Sequence, residues 1–157
     1  MFLGFVAMIS AFLADQLSKF FIDTQLVTSH HIVFNDYFNL VKVWNTGVSF
    51  SMFNDYGMTG TVVLSLISLT VSAFLINWMR HETNRLKIIS LGIIVGGALG
   101  NVFDRVRFGA VLDFLDFHYE TYHWPAFNLA DTFICVGAFI LIVWEIFYGH
   151  KKGLDKI

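Results

Sequence analysis

Carboxylate side chains are concentrated in one part of this 157-residue chain. Five of them fall within 28 positions: Asp104, Asp113, Asp116, Glu120 and Asp131. Two carboxylates about 4 Å apart repel by about 4 kcal/mol at an effective dielectric constant of about 20, so one of them holds a proton near neutral pH. The ionised partner then takes a proton from water while the protonated partner donates to a carbonyl oxygen. The residues leave open which two acids pair. Asp113 and Asp116, three positions apart, also fit neighbours on a solvated helix face.

Metal-ion and serine chemistry have less support. Four of the six histidines occur in pairs, His30 beside His31 and His118 five positions before His123, and no H-E-x-x-H spacing is present. No serine stands in a G-x-S-x-G context. The single cysteine, Cys135, allows no internal disulfide. We therefore expect neither a metal site nor a cofactor.

The composition indicates a membrane protein. Hydrophobic residues make up 56% of the chain and charged residues 14%, whereas about 25% of residues are charged in soluble domains. Four apolar stretches stand out. The second, residues 57–79, carries no charge and is long enough to span a bilayer unaided, whereas the third, residues 88–103, is shorter and extends on both sides into polar residues. The four stretches predict an all-α membrane protein, one domain over residues 1–157, with helices at about 2–22, 57–79, 86–104 and 129–148. A cleavable signal peptide is the alternative for the first stretch, but no lysine or arginine precedes its apolar core.

The distribution of lysine and arginine predicts the orientation. The connection between the second and third helices carries three of these side chains, and the C-terminal tail carries three more. The first connection has only Lys42, and the third has Arg105 and Arg107. Both termini should therefore be cytoplasmic, with Arg105 and Arg107 serving some purpose on the outer side. The net charge of −2 gives no basic surface for nucleic acid.

The connections on the outer side of the helices are predicted to be more than simple turns. Alternating and aromatic segments between residues 29 and 53 predict short strands, with a turn signal at Asn45-Thr46-Gly47. We expect a small β-cradle at about 29–53 on the outer face. Residues 54–58 would add a short interfacial helix or turn.

With this topology, the polar residues that interrupt the apolar runs gather near the outer surface. They are Asp15, Lys19, Asn45, Asn101, Asp104, Arg105, Asp113, Asn128 and Asp131. Structural explanations exist for several of them. Asp15 and Lys19 are an i, i+4 pair, Asn128 or Asp131 suits a helix N-cap, and Asp104 with Arg105 suits a helix end.

Glycines recur along the third helix at every fourth position. Gly92, Gly96 and Gly100 form a small-residue stripe, which predicts close approach of another helix. Such packing would bring Asn101 and Asp104 against polar groups of neighbouring helices.

Four ordered blocks resemble the bacterial lipoprotein signal peptidase, or signal peptidase II, family. They are DQLSK (15–19), VWNTGVSFSMF (43–53), GGALGNVFDRVRFGAVLDFLDFH (96–118) and PAFNLADTFICVG (125–137). The resemblance extends over almost the whole chain and implies an aspartic endopeptidase in the bacterial inner membrane. It further implies four helices, an outer β-cradle and a short outer helix.

The resemblance also implies a substrate and a site. The substrate class is a prolipoprotein whose cysteine carries a diacylglyceryl group. It is cut on the N-terminal side of that cysteine, near the outer surface of the inner membrane. Membrane lipid and cyclic-peptide inhibitors of the globomycin type are the other implied partners. By motif position the catalytic pair would be Asp113 and Asp131. The implied substrate-binding or supporting residues are Asp15, Lys19, Asn45, Gly47, Asn101, Asp104, Arg105, Asn128 and Ala130.

A small proton- or ion-coupled carrier subunit is the alternative function. A relay of that kind needs ionisable groups throughout the depth of the bilayer. In this sequence the ionisable residues gather at one side, and the middle of the second and third helices is almost purely apolar.

Overall fold

Four long helices dominate the computed structural model, which describes residues 1–26, 31–47 and 57–149. They are α1 (Phe2–Gln25), α2 (Gly57–His81), α3 (Arg85–Phe108) and α4 (Leu129–Trp144), the last continued by a π-helical turn at Glu145–Gly149. All four are long and apolar enough to cross a membrane, which confirms the predicted four-span architecture. Helices α1 to α3 run two to four residues beyond the predicted C-terminal ends.

Helix α3 occupies the centre of the bundle. In its most apolar stretch 61% of residues are buried, compared with 22% or less in each of the other three helices. It packs against α1, α2 and α4. The other helices expose large apolar side chains such as Phe20, Leu66 and Phe139, which is the surface expected of helices that face lipid.

The glycine stripe of α3 allows α1 to approach backbone to backbone. A Cβ atom at Gly92 would collide with the carbonyl oxygen of Gly4, and one at Gly96 with the carbonyl oxygen of Met8. At Gly100 it would lie 2.5 Å from Oδ2 of Asp15. The predicted close approach is therefore found, and it extends from simple packing at one end to a polar contact at the other.

An antiparallel sheet joins the helix ends at one side of the bundle. Its strands are β1 (His31–Asn35), β2 (Phe38–Asn45), β3 (Val111–Tyr119) and β4 (Tyr122–His123), in the order β1-β2-β3-β4. The sheet thus uses both long connections, whereas the sequence predicted strands only within 29–53. Positions 29–30 and 48–53 of that range lie outside the described residues, as do 54–56 of the expected interfacial helix; 57–58 belong to α2.

Strand β3 corrects one interpretation of the acids. Asp113 and Asp116 lie on this strand, where residues three apart point to opposite faces. They are therefore not helix neighbours. Asp113 is aligned with Val43 of β2, and Asp116 with Asn39.

The sheet is fixed to α1 by a small apolar core. Ile22 and Leu26 from the end of α1 pack against Leu112 and Phe114 of β3, and all four side chains are buried. Because α1 and α3 end near the sheet and α2 and α4 begin there, the polar residues at these helix ends meet beneath it.

Candidate active site

The start of α4 is fixed by a capping box. Asn128 is the N-cap, and its Oδ1 accepts the backbone N–H of Asp131 at 3.0 Å. The carboxylate of Asp131 reciprocates, since its Oδ2 accepts the backbone N–H of Asn128 at 3.3 Å. Asn128 is fully buried and Asp131 is partly exposed. The cap therefore holds the Asp131 carboxylate in one orientation, and the positive end of the helix dipole favours its negative charge.

Asp113 reaches the same place from strand β3. The Nδ2 of Asn128 donates to Asp113 Oδ1 at 2.7 Å, and the Nδ2 of Asn45 donates to Asp113 Oδ2 at 2.9 Å. Gly47 supports Asn45, because its backbone N–H donates to Asn45 Oδ1 at 2.9 Å. Both oxygens of Asp113 thus accept hydrogen bonds from amides whose positions are fixed by neighbouring elements.

The two acids of β3 differ in their electrostatic surroundings. Burial raises the pKa of Asp113 to about 6; the neighbouring Asp131 carboxylate adds to the rise, and the bonds from Asn45 and Asn128 oppose it. Burial also acts to raise the pKa of Asp116, but hydrogen bonds with His123 and Asn39 hold it below its ordinary value. Asp113 is therefore the acid of the two that can carry a proton close to neutral pH.

Asn101 of α3 connects the acids to a buried ionic cluster. Its Nδ2 donates to Asp131 Oδ1 at 2.8 Å, while its Oδ1 accepts from Lys19 Nζ at 3.0 Å and from Asn128 Nδ2 at 3.3 Å. The orientation of the Asn101 amide follows from these partners, because Lys19 can only donate. Its Nδ2 is consequently directed at Asp131.

The ionic cluster lies between α1 and α3. Lys19 Nζ is 2.9 Å from Asp15 Oδ2 and 2.7 Å from Asp104 Oδ2, and all three side chains are almost fully buried. Asp15 Oδ1 accepts the backbone N–H of Ala130 at 2.9 Å, which fixes the first turn of α4 against α1. Asp15 and Lys19 are thus the structural pair that their spacing allowed, and they also hold the α4 terminus.

Gln16 belongs to this cluster and was not predicted. Its Nε2 donates to Asp104 Oδ1 at 2.9 Å and to Asp15 Oδ2 at 3.1 Å. The signal available in the sequence was its position inside DQLSK, between two predicted site residues. An uncharged glutamine in an apolar helix does not by itself indicate a functional site, as a charged side chain does.

Arg105 supplies a positive charge beside the acids. Its Nη1 donates to the backbone oxygen of Asn101 at 3.4 Å, and its charge interacts favourably with Asp131, Asp113 and Asp104. Its Nε is buried and has no hydrogen-bond partner among the residues that the structure describes. Arg105 therefore contributes positive charge next to the acids, while this donor stays enclosed by the protein.

The structure thus brings every predicted site residue into one connected region. Asp113 and Asp131 share Asn128; Asn45 and Asn101 each donate to one acid; the remaining residues position these groups. Within the described ranges, no three histidine, cysteine, aspartate or glutamate side chains form a metal-binding group. What the arrangement offers chemically is a buried carboxyl group next to a more exposed carboxylate, surrounded by amide donors.

A cleft leads away from this region between α2 and α3. Its volume is about 760 Å³. Met58, Val62, Leu66 and Leu69 of α2 line one wall, and Arg105 lies on the opposite side with the end of α3. An apolar ligand in this cleft would therefore lie next to the guanidinium.

Comparison with known proteins identifies the family of the chain. Residues 7–147 match the family described as signal peptidase (SPase) II. The chain belongs to the signal peptidase II family. It is 41% identical over 145 residues to a lipoprotein signal peptidase of Aeromonas hydrophila, covering 90% of this chain and 86% of the relative. A lipoprotein signal peptidase of Coxiella burnetii is 39% identical over 142 residues, covering 89% and 87%.

The fold is shared with solved structures as well. A bacterial membrane enzyme determined by the in meso method at 2.3 Å resolution superposes with a TM-score of 0.79 at 23% identity, covering 91% of this chain and 87% of that chain. A second such structure, at 1.9 Å resolution, also gives 0.79 at 22% identity, with 92% and 93% covered. Membership of a multi-pass peptidase family argues against the carrier-subunit alternative.

Proposed function

We propose that Asp113 and Asp131 are the catalytic dyad of an aspartic endopeptidase that cleaves diacylglyceryl-modified prolipoproteins. The observation that carries this proposal is the shared contact with Asn128. One amide donates to Asp113 at 2.7 Å and accepts from the backbone of Asp131 at 3.0 Å, so the two acids are held side by side.

The surroundings of the acids suggest their roles. Asp113 is buried, its pKa is raised to about 6, and displacement of water by a bound peptide would raise it further. We assign the proton to Asp113, which polarises the scissile carbonyl oxygen. Asp131, more exposed and at the positive end of α4, is assigned as the base that removes a proton from the attacking water.

The substrate backbone needs hydrogen-bond donors and acceptors next to the acids. Arg105 lines the α2–α3 cleft, and its positive charge would stabilise the developing oxyanion. The α2–α3 cleft would hold the acyl chains of the lipidated cysteine, because burying each CH₂ group contributes about 0.8 kcal/mol. Cleavage on the N-terminal side of that cysteine would release the signal peptide.

The orientation of the protein in the membrane follows from the same proposal. A prolipoprotein is tethered by its acyl chains, so the scissile bond has to lie where lipid meets water. Placing the sheet on the outer face of the bacterial inner membrane puts the α2–α3 connection and both termini in the cytoplasm, in agreement with the distribution of lysine and arginine. A cyclic peptide of the globomycin type would inhibit by occupying the dyad.

The proposal is tested with purified protein in detergent and a matched pair of substrates. One is a prolipoprotein carrying diacylglyceryl on its cysteine, and the other is the same polypeptide without lipid. We expect a cut only in the first, immediately before the cysteine, with no metal ion added and with chelator present. Equal cleavage of both substrates would contradict the assigned substrate class, and loss of activity in chelator would contradict the metal-independent mechanism.

A further inference from the structure

A second, smaller cavity lies between α1, α3 and the sheet. Its volume is about 150 Å³. Phe20 and Asp23 of α1, Arg107 and Phe108 of α3, and Trp44 of β2 line its walls. The cleft assigned to acyl chains lies instead between α2 and α3, and Phe108 lines both cavities.

The deepest charged groups of this cavity already have partners. Lys19 and Asp104 line it, but they are paired with each other at 2.7 Å and almost fully buried. Gln16 satisfies the other oxygen of Asp104 at 2.9 Å. A ligand would therefore find a floor whose charged groups are already paired, and it would have to be recognised by groups nearer the entrance.

Arg107 lies at that entrance, and its positive charge is not paired with a carboxylate of the described residues. Among residues 1–26, 31–47 and 57–149 it has no ion-pair partner within 4.0 Å, and its guanidinium lies over the Phe108 ring at 4.7 Å from the centroid. The aromatic ring restrains the guanidinium without neutralising it. A guanidinium held in this way suits a phosphate group, which it can bind through two parallel N–H bonds.

Asp23 provides the opposite charge in the same cavity. Its Oδ1 is 2.7 Å from Lys42 Nζ, and its side chain remains 42% exposed. Within the described part of the chain its Oδ2 has no hydrogen-bond partner, so a carboxylate oxygen remains available to an incoming donor. One cavity therefore presents a cation and an anion that are both accessible.

The rest of the wall is aromatic. Phe20 is 68% exposed, Phe108 is 48% exposed and Trp44 is 39% exposed. They surround the entrance at the end of the helices where the sheet lies. Aromatic rings at this level of a membrane protein lie among lipid head groups, so a molecule reaching the cavity from the bilayer would present its head group first.

We propose that this cavity binds the head group of a zwitterionic phospholipid with a primary ammonium, the phosphoethanolamine type. Its phosphate pairs with Arg107 and its ammonium donates to Asp23. A choline head group carries a trimethylated nitrogen that cannot donate a hydrogen bond, and a glycerol head group has no cation for the carboxylate. This site uses residues outside the proposed dyad and does not depend on the proposed peptidase activity.

Native mass spectrometry of the full-length protein in detergent tests the site. The protein is titrated separately with dioleoyl lipids carrying ethanolamine, choline or glycerol head groups. We expect the ethanolamine lipid to bind about tenfold more tightly than either of the others, which corresponds to about 1.4 kcal/mol. Soluble O-phosphoethanolamine should compete with it, whereas inorganic phosphate at the same concentration should compete much less, which distinguishes the whole head group from a phosphate-only site.

Two substitutions locate the binding. Arg107→Gln and Asp23→Asn should each reduce ethanolamine-lipid binding to the level of the choline lipid. Arg80→Gln is the control, because Arg80 is also an exposed arginine but lies in the last turn of α2 at the opposite end of the bundle. Thermal unfolding verifies that each variant is folded. Equal binding of the three lipids by the parent protein, or full selectivity in folded Arg107→Gln, would overturn the proposal.

Discussion

The Nδ2 of Asn128 donates a 2.7 Å hydrogen bond to Asp113 from the N-cap position of α4. A residue that begins a helix therefore also determines the position of a carboxyl group on strand β3. Its Oδ1 simultaneously accepts the N–H of Asp131 at 3.0 Å. Helix capping and alignment of the two acids are thus carried out by one side chain, and the cap and the proposed catalysis can be separated by a matched substitution.

Asn128→Ala should abolish most of the cleavage activity, while Asn84→Ala should leave it nearly unchanged. Asn84 is the N-cap of α3 and accepts from Leu86 N at 2.9 Å and Lys87 N at 3.1 Å, so both variants lose a cap worth about 1 kcal/mol. Of these two N-cap asparagines, only Asn128 contacts Asp113 and Asp131. Cleavage rates per folded protein and thermal unfolding of both variants measure the difference; equal rates in the two variants would contradict the positioning role.

Lys19→Met should destabilise the protein by about 3–5 kcal/mol, because it leaves Asp15 and Asp104 buried without their shared cation. Lys42→Met is the matched control. Its pair with Asp23 is 2.7 Å long but partly exposed, so its loss should cost about 0–1 kcal/mol. Thermal unfolding in detergent compares them. Similar losses for both lysines would mean that the buried cluster does not stabilise the fold in the way its burial indicates.

Measured per folded protein, the cleavage rate should fall more in Gly100→Ala than in Gly92→Ala. The new Cβ at Gly100 would lie 2.5 Å from Asp15 Oδ2 and displace the carboxylate that holds the N–H of Ala130. At Gly92 the new Cβ would meet the Gly4 backbone, away from the acids. Initial rates normalised to folded protein separate the effects. A greater loss of rate in Gly92→Ala would indicate that helix packing as a whole, and not Asp15, controls the site.

Stability should fall as pH rises through the range where the folded protein still holds the Asp113 proton. The ordinary pKa is 3.8 and burial raises it to about 6 in the folded protein. Below both values the group is protonated in either state, and between them only the unfolded state loses the proton. The full loss of unfolding free energy caused by this pKa difference, about 3 kcal/mol, is therefore reached above about pH 6.

Asp113→Asn removes this contribution, so its unfolding free energy should lose the corresponding slope. The comparison is between slopes, because the new amide also alters the bonds with Asn45 and Asn128 by an amount that does not vary with pH. Thermal unfolding of both proteins from about pH 4 to about pH 7 provides the measurement. Parallel curves for the two proteins would show that Asp113 does not bind the extra proton.

The membrane architecture was predictable because apolar runs of about 20 residues have few alternatives in water. The meeting of the polar residues was predictable for a related reason. In an antiparallel arrangement of four spans, the end of α1, the start of α2, the end of α3 and the start of α4 share one side. Asp15, Asn101 and Asn128 could therefore be assigned to one region before any contact was known.

The sheet and the pairing of the acids were less accessible to sequence reasoning. Residues 111–114 of β3 are all buried, so the alternation that marks a strand is absent, and the three-residue spacing of Asp113 and Asp116 suggested a helix instead. The choice of Asp113 as the partner of Asp131 came from the family resemblance. In the structure it depends on the register of β3 against Asn45 and Asn128, which are 68 and 15 positions away along the chain.

The central claim is tested most directly by the initial rate of cleavage of a diacylglyceryl-modified prolipoprotein by three variants: Asp113→Asn, Asp131→Asn and Asp116→Asn. Asp116 is the matched control, since it lies on the same strand as Asp113 but is bonded to Asn39 and His123. We predict a loss of about 10³-fold or more for each of the first two variants and less than about tenfold for Asp116→Asn, with all three folded. A folded Asp113→Asn or Asp131→Asn protein that cleaves as fast as Asp116→Asn would contradict the dyad.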